Sequence, residues 1–260
     1  MAKSALRVLQ IMEYIAEQRD GCTHTQLAHG LNIPKSSLTA LLNDLQSQGY
    51  LHRNPETGKF TIGIQVLWLA NSYLRNLNLA RMGTPIVGEL YAAVHQFSVL
   101  SIPVGTEYVV ICTESVPSLF THTLQIGHRG PLFCSATGRA ILAHLPEERV
   151  NEILLASPLR ALTPYTKTDP AVIKAELRDI RKKGIADVRE ESILGITGLA
   201  APVFDRSGKP VAAVGVAAPT AQLDNEQLPD VEDAIRRAAS KLSEQLGWET
   251  QQRDTRTVAA

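Results

Sequence analysis

Apolar residues recur with a helical period through the first fifty positions and then give way to a strand-like hairpin. Ala5, Leu9, Met12 and Ala16, with Leu6, Val8 and Ile15 beside them, predict a first helix that is apolar over a wide arc. A short second helix is expected at 25–28, closed by Gly30. A tight turn at 31–33 then leads to Pro34, at a point where a helix tolerates a missing N–H. Leu38, Leu41, Leu42 and Leu45 follow at i, i+3, i+4 and i+7, and Gly49 is placed to cap this third helix. Residues 50–53 and 59–62 then flank Asn54-Pro55-Glu56-Thr57-Gly58, which carries strong turn chemistry. Helix, turn, helix and hairpin in this order over 23–63 predict a winged helix-turn-helix, a DNA-reading module.

The third helix divides by face. Opposite its leucines lie Ser36, Ala40, Asn43 and Ser47, with Ser37, Thr39 and Asp44 on the flanks. Small hydroxyl and amide groups on a helix of this kind fit a major groove and meet base edges. Lys35 at its start, and Arg53 and Lys59 on the wing, are placed for phosphates, which supply affinity without sequence information. The plainer reading is a solvated helix face, and the wing that follows argues against it.

After the wing, Val66, Leu69, Ala70, Tyr73, Leu74 and Leu77 give helical spacing, so residues 64–79 are expected to form a linker helix between the 1–63 module and a second domain at 80–247. A helix this apolar needs cover, and a contact between two copies of the chain suits a module that reads paired half-sites. In the second domain, helices are expected at 86–95, 135–145, 147–156, 171–183 and 225–246. Strands are expected at 99–104, 108–113, 118–125, 185–189, 199–204 and 211–217. Helices outside a mostly antiparallel sheet make the fold class α+β. Residues 248–260 read as a polar, disordered tail.

Composition narrows the function classes. The 260 residues balance 26 basic against 26 acidic side chains, so no global basic field advertises nucleic acid. Within 1–63, six basic residues face five acidic ones. Affinity for DNA must therefore come from local placement and from pairing modules on one operator. Three cysteines without metal spacing suit a reducing cytosol, and neither a signal peptide nor a long apolar run is evident, so a cytoplasmic, non-membrane protein is expected.

Three chemistries compete in the second domain. Cys134-Ser135 is the best nucleophile candidate, but it lacks a recognisable base partner and Ser135 serves more simply as an N-cap, so no catalysis is expected. His122, His128 and Cys134 recur at six-residue intervals, which matches no standard zinc pattern, so neither a metal nor another cofactor is expected. Ser135-Ala136-Thr137-Gly138 at a helix start offers backbone N–H groups to a carboxylate or phosphate, which favours a small-molecule binding site.

The stretch Leu31-Asn32-Ile33-Pro34-Lys35-Ser36-Ser37, then Gly49-Tyr50-Leu51 and Asn54 to Phe60, resembles the IclR family of bacterial transcription regulators. So do residues 131–140 and 195–205, and the resemblance spans about residues 3–247. It implies a GAF-like effector-binding domain, dimers or tetramers, and a pocket at Ala136, Thr137, Val188, Gly198, Gly215 and Ala217. Where relatives that bind small keto acids carry an acid, a cysteine and two serines, this chain has Val188, Gly198, Gly215 and Ala217. A larger, partly apolar or aromatic carboxylate is therefore the expected effector, with Leu119, His122 and Phe133 as walls and Thr137 as a hydroxyl contact. The chain departs from the family at Thr39 and Ala40, where a basic or histidine pair is common, which bears on operator sequence. A ligand-binding module whose winged domain contacts protein instead of duplex DNA is the alternative, and salt-dependent DNA binding separates the two.

Overall fold

Helix α1 (Lys3–Ala16) buries Ile11 and Ile15 against α2 (His24–Gly30) and α3 (Lys35–Ser47), whose Leu27, Leu38, Leu42 and Leu45 complete a small core with Leu51 and Phe60. This is a computed structural model, and it describes residues 3–76, 78–115, 124–223 and 228–248. The buried face of α1 is thus Ile11 and Ile15, flanked by Val8, Met12 and Tyr14. Leu6 and Leu9, expected inside the apolar arc, remain 46% and 56% exposed.

Two details of the helical pair differ from expectation. Thr23 is the N-cap of α2 and forms a capping box with Gln26, so the helix opens at His24, one residue earlier than its apolar pattern indicates. Gly30 lies inside α2 and packs against the Tyr14 ring, while Asn32, at φ 51°, supplies the left-handed turn that redirects the chain. Pro34 precedes the first turn of α3 as its N-cap, and Gly49 at φ 74° leads out of it. Strands β1 (Leu51–Arg53) and β2 (Phe60–Ile62) then pair antiparallel with Arg53 opposite Phe60. Asn54 closes the turn by accepting from the N–H groups of Glu56 and Thr57. Helix α4 (Ile64–Asn76) ends this unit.

The chain divides into two compact units, Met1–Leu77 and Asn78–Ala260. The second begins with α5 (Asn78–Val94), which starts well before the expected 86–95 and carries Pro85 internally. Six strands follow: β3 (Phe97–Val104), β4 (Glu107–Glu114), β5 (Arg129–Pro131), β6 (Ala186–Arg189), β7 (Ile196–Phe204) and β8 (Pro210–Pro219). They form one fully antiparallel sheet in the order β5-β4-β3-β8-β7-β6. The short edge strand β5 was not expected, and most of the strand expected at 118–125 lies outside the described residues.

Alternation sorts the two sheet faces. Leu100 reaches Gly83 of α5, and Cys112 donates to the Ala80 carbonyl, so this face is covered by α5 together with α9 (Leu228–Gln245). The opposite face, with Val99, Val188, Ala200 and Ala217, packs under α6 (Ala136–Leu142), α7 (Glu147–Ala156) and α8 (Pro170–Lys183). Helices on both sides of an antiparallel sheet give the α+β class expected from sequence.

Candidate functional site

On α3, Lys35, Ser36, Thr39, Ala40, Asn43 and Ser47 are all exposed, and Ser37 is half-buried. The leucine face is buried beneath them, except for the half-buried Leu41. The Thr39 hydroxyl is not free: it donates to the Lys35 carbonyl at 2.9 Å and meets His24 Nε2 at 2.9 Å. One lone pair of the hydroxyl is left open, and His24 at the start of α2 joins this exposed face beside it. Sequence periodicity could not have placed His24 there, because it lies fifteen residues away on another helix. On the wing, the Arg53 guanidinium stacks over the Phe60 ring at 5.7 Å, which holds it in one place. Lys59 is half-buried beside Cys22, whose thiol burial pushes up and Lys59 pulls back.

In the second unit, α6 begins against the sheet and leaves a cavity of about 60 Å³. Its wall includes Val99, Ser101, Tyr108 and Val110 from β3 and β4, and Ser135, Ala136 and Thr137 from the α6 start. Val188, Gly198 and Ala217 from β6, β7 and β8 complete it, with Leu124, Ser192, Ile193 and Ile196. Val188, Gly198 and Ala217 stand side by side across three strands, as their register pairs show. A Cβ at Gly198 would come within 3.0 Å of the Ala136 Cβ, so the missing side chain there lets α6 approach the sheet.

Two expected wall residues lie elsewhere. Phe133 is 1% exposed inside the apolar core and does not reach the cavity. Gly215 sits one register row further along, where a Cβ would strike the Leu199 carbonyl oxygen at 2.1 Å. Its small size thus tightens strand packing and adds no cavity volume. Leu119 and His122 lie outside the described residues. Ser135 lines the cavity, yet its hydroxyl is committed to capping: it donates to the Pro131 carbonyl and accepts from the Gly138 N–H.

Sequence reasoning missed Ser101. It is fully buried, lines the cavity, and its hydroxyl has no hydrogen-bond partner among the described residues. An unmet buried hydroxyl costs about 1–3 kcal/mol. Tyr108, another missed wall residue, packs its ring over Gly130, and burial pushes its phenol up to about 12, so it stays a neutral donor.

Also unforeseen is the ion network that backs this wall. Arg139, 1% exposed on α6, binds both oxygens of Glu191 at 2.7 Å, Glu176 of α8 at 2.6 Å and the Phe133 carbonyl at 2.8 Å. Lys167 bonds to Glu176 through Nζ and donates its backbone N–H to Glu191 at 3.0 Å. The hydroxyls of Thr163 and Thr166 tie down the Glu190 and Glu191 carbonyls. Because Ser192 and Ile193 follow Glu191 directly, the network fixes one side of the cavity.

The Cys134 thiol is fully buried and pushed up to about 12 by that burial, the reverse of what activates a nucleophile. Of the trio considered for a metal, His122 lies outside the described residues. Among the described residues no helix is long and apolar enough to cross a membrane.

Comparison with known proteins fits both units. Residues 4–55 match the model of the IclR helix-turn-helix domain, and residues 71–244 that of the bacterial transcriptional regulator IclR C-terminal domain. The chain is 29% identical over 245 residues to the transcriptional repressor IclR of Escherichia coli (strain K12), covering 93% of this chain and 89% of that one. It is 25% identical over 246 residues to the HTH-type transcriptional repressor AllR of the same strain, with coverage of 95% and 91%. The IclR structure from Thermotoga maritima superposes with a TM-score of 0.77 at 25% identity, over 95% of this chain and all of that one (100%). An IclR homolog from Microbacterium hydrocarbonoxydans, complexed with 4-hydroxybenzoate, gives 0.78 at 24% identity over 94% and 99%. With a helix-turn-helix unit followed by a ligand-binding unit, and both family models matched along its length, the chain belongs to the IclR family of bacterial transcriptional regulators.

Proposed function

We propose that this protein regulates transcription in response to a small aromatic or partly apolar carboxylate, held in the cavity under α6 within residues 80–247. The observation that carries the reading is the cavity wall. Val99, Val110, Val188, Ile193, Ile196 and Ala217 make it apolar, and a few hydroxyls are set at defined points. Ligand sites are built this way, with an apolar lining and few orienting polar groups. Among the described residues no acidic or basic side chain lies on the wall, so a two- or three-carbon acid finds little there to hold it. The IclR homolog that holds 4-hydroxybenzoate supports the same class of ligand.

The operator is read by Lys35, Ser36, Ser37, Thr39, Ala40 and Asn43, with Arg53 and Lys59 on phosphates, in a winged module spanning 1–63. Ile64, Leu67, Trp68 and Leu69 of α4 are 45–73% exposed, and Leu6 and Leu9 of α1 are exposed with them. Apolar surface of this extent calls for a partner, and a second copy of the chain supplies one, giving a homodimer or a tetramer built from it. At about 60 Å³ the cavity has room for about four waters. An aromatic acid must therefore displace part of the wall. That displacement, passed on through residues 64–79, gives the differential binding that coupling of about 1–3 kcal/mol requires.

The test is thermal unfolding of the full chain against aliphatic and aromatic carboxylates. A concentration-dependent rise is expected with an aromatic acid. A rise confined to glyoxylate- or pyruvate-sized acids would show that the apolar wall does not select the ligand.

A further inference from the structure

We propose that Ser101 is the specificity-determining residue of the cavity: it reads a hydroxyl or carbonyl oxygen at the end of the ligand remote from its carboxylate. The inference rests on the effector reading of the cavity and names the second polar group that the ligand carries.

Three observations meet at this residue. Ser101 is completely buried, and its Oγ has no partner among the described residues, although nearly all buried hydroxyls in folded proteins have one. The β3–β4 register slips at this point with Ile111 of β4 as the extra residue, while the β3–β8 register runs on unbroken through Ser101, so Ser101 shares the cavity face with Val99. The residue then lies on the cavity wall beside Val99, Tyr108 and Val110.

Position along the strand supplies the ligand's geometry. Phe97 pairs with Ala217, which pairs with Gly198, and Gly198 lies against Ala136 at the α6 start. Ser101 is four residues further along β3, about 13 Å in extended chain. The α6 start at Ala136 and Ser101 on β3 therefore lie at different register rows of the cavity wall. A molecule held by its carboxylate near Thr137 extends its far end toward Ser101. The other residues at that end are Val99, Val110 and Tyr108, whose phenol lies over Gly130, so Ser101 offers the small hydroxyl that distinguishes an oxygen from a hydrogen there.

The experiment uses the full chain and three matched pairs of acids: benzoate with 4-hydroxybenzoate, phenylacetate with 4-hydroxyphenylacetate, and cinnamate with 4-hydroxycinnamate. Binding is measured by calorimetry for the wild type, Ser101→Ala and Ser101→Val. The wild type is expected to prefer the hydroxylated member of at least one pair by about tenfold, and Ser101→Ala to abolish that preference while still binding both members. Without ligand, Ser101→Ala should unfold at the same temperature as the wild type or higher, because it removes an unpaired group and no contact. A lower unfolding temperature would show that the hydroxyl has a structural partner and would overturn the assignment. Binding of the pairs with the preference unchanged in Ser101→Ala would also overturn it, while leaving the effector reading intact. Absence of binding by all six acids would remove the effector reading itself, and the assignment with it.

Discussion

Replacing Glu191 with glutamine tests the buried ion network with almost no change of shape. Arg139 Nη1 and Lys167 Nζ approach Oε1 of Glu191 at 2.7 and 3.4 Å, and Arg139 Nη2 and the Lys167 N–H approach Oε2 at 2.7 and 3.0 Å. Every neighbour of both oxygens is a donor. An amide in either orientation therefore points its own NH2 at donors, and Arg139 loses its buried counter-ion. Breaking such a pair from one side costs about 3–5 kcal/mol. Glu176, 30% exposed, stays close to Arg139 and to Lys167, so the lower part of that range is expected. For a unit of this size each kcal/mol lowers Tm by about 2–4 °C, which gives a fall of about 10 °C. Urea unfolding followed by Trp248 fluorescence reads the second unit, because that ring packs on Phe204 at 4.8 Å; a Trp68→Phe background removes the other indole. Glu152→Gln, in an exposed pair with Arg149, is the control and should cost under about 0.5 kcal/mol. Combining Glu191→Gln with Arg139→Met should cost less than the two single changes added together. A Glu191→Gln protein within about 1 kcal/mol of wild type would refute the network as the anchor of the 192–196 wall.

Asn43→Ala should lower operator preference while nonspecific DNA binding is nearly kept, whereas Lys59→Ala should weaken both and reduce the salt slope by about one; gel-shift titrations at several salt concentrations separate them. Leu67→Ser with Trp68→Ser should weaken self-association, read by sedimentation; an unchanged assembly would remove the α4 face as its seat. Burial, and then the Arg181 charge, push His144 down to about 4, below its unfolded value, so the unfolded chain takes up the proton first. Stability from this residue is complete above about pH 6.5 and is lost as pH falls toward 4. Thermal melts over that window should show a shallower pH dependence for His144→Phe than for the wild type.

What the sequence reveals depends on how far apart the deciding residues lie. The leucine stripe of α3, the Asn54–Gly58 turn and the α7 boundaries depend on neighbours within a few positions, and the pattern there is sufficient. The capping box of Thr23 and Gln26 was equally local, a Thr-x-x-Gln spacing overlooked beside the stronger apolar signal. Arg139 and Glu191 are 52 positions apart, and a single arginine in an apolar helix gives no direction to its partner. Ser101 is harder still. Its meaning comes from a missing hydrogen bond and from its place on a wall built by distant strands and helices, neither of which any local pattern encodes. Gly215 shows the opposite limit: family likeness placed it at the pocket, but small size makes a cavity only where no neighbour moves in to fill it. At Gly215 the Leu199 backbone occupies that space, and at Gly198 the Ala136 methyl occupies much of it. On the proposed role of Ser101, ligand preference in this domain depends less on which side chains are absent from the β-strands than on the polar group left unpaired among those that remain.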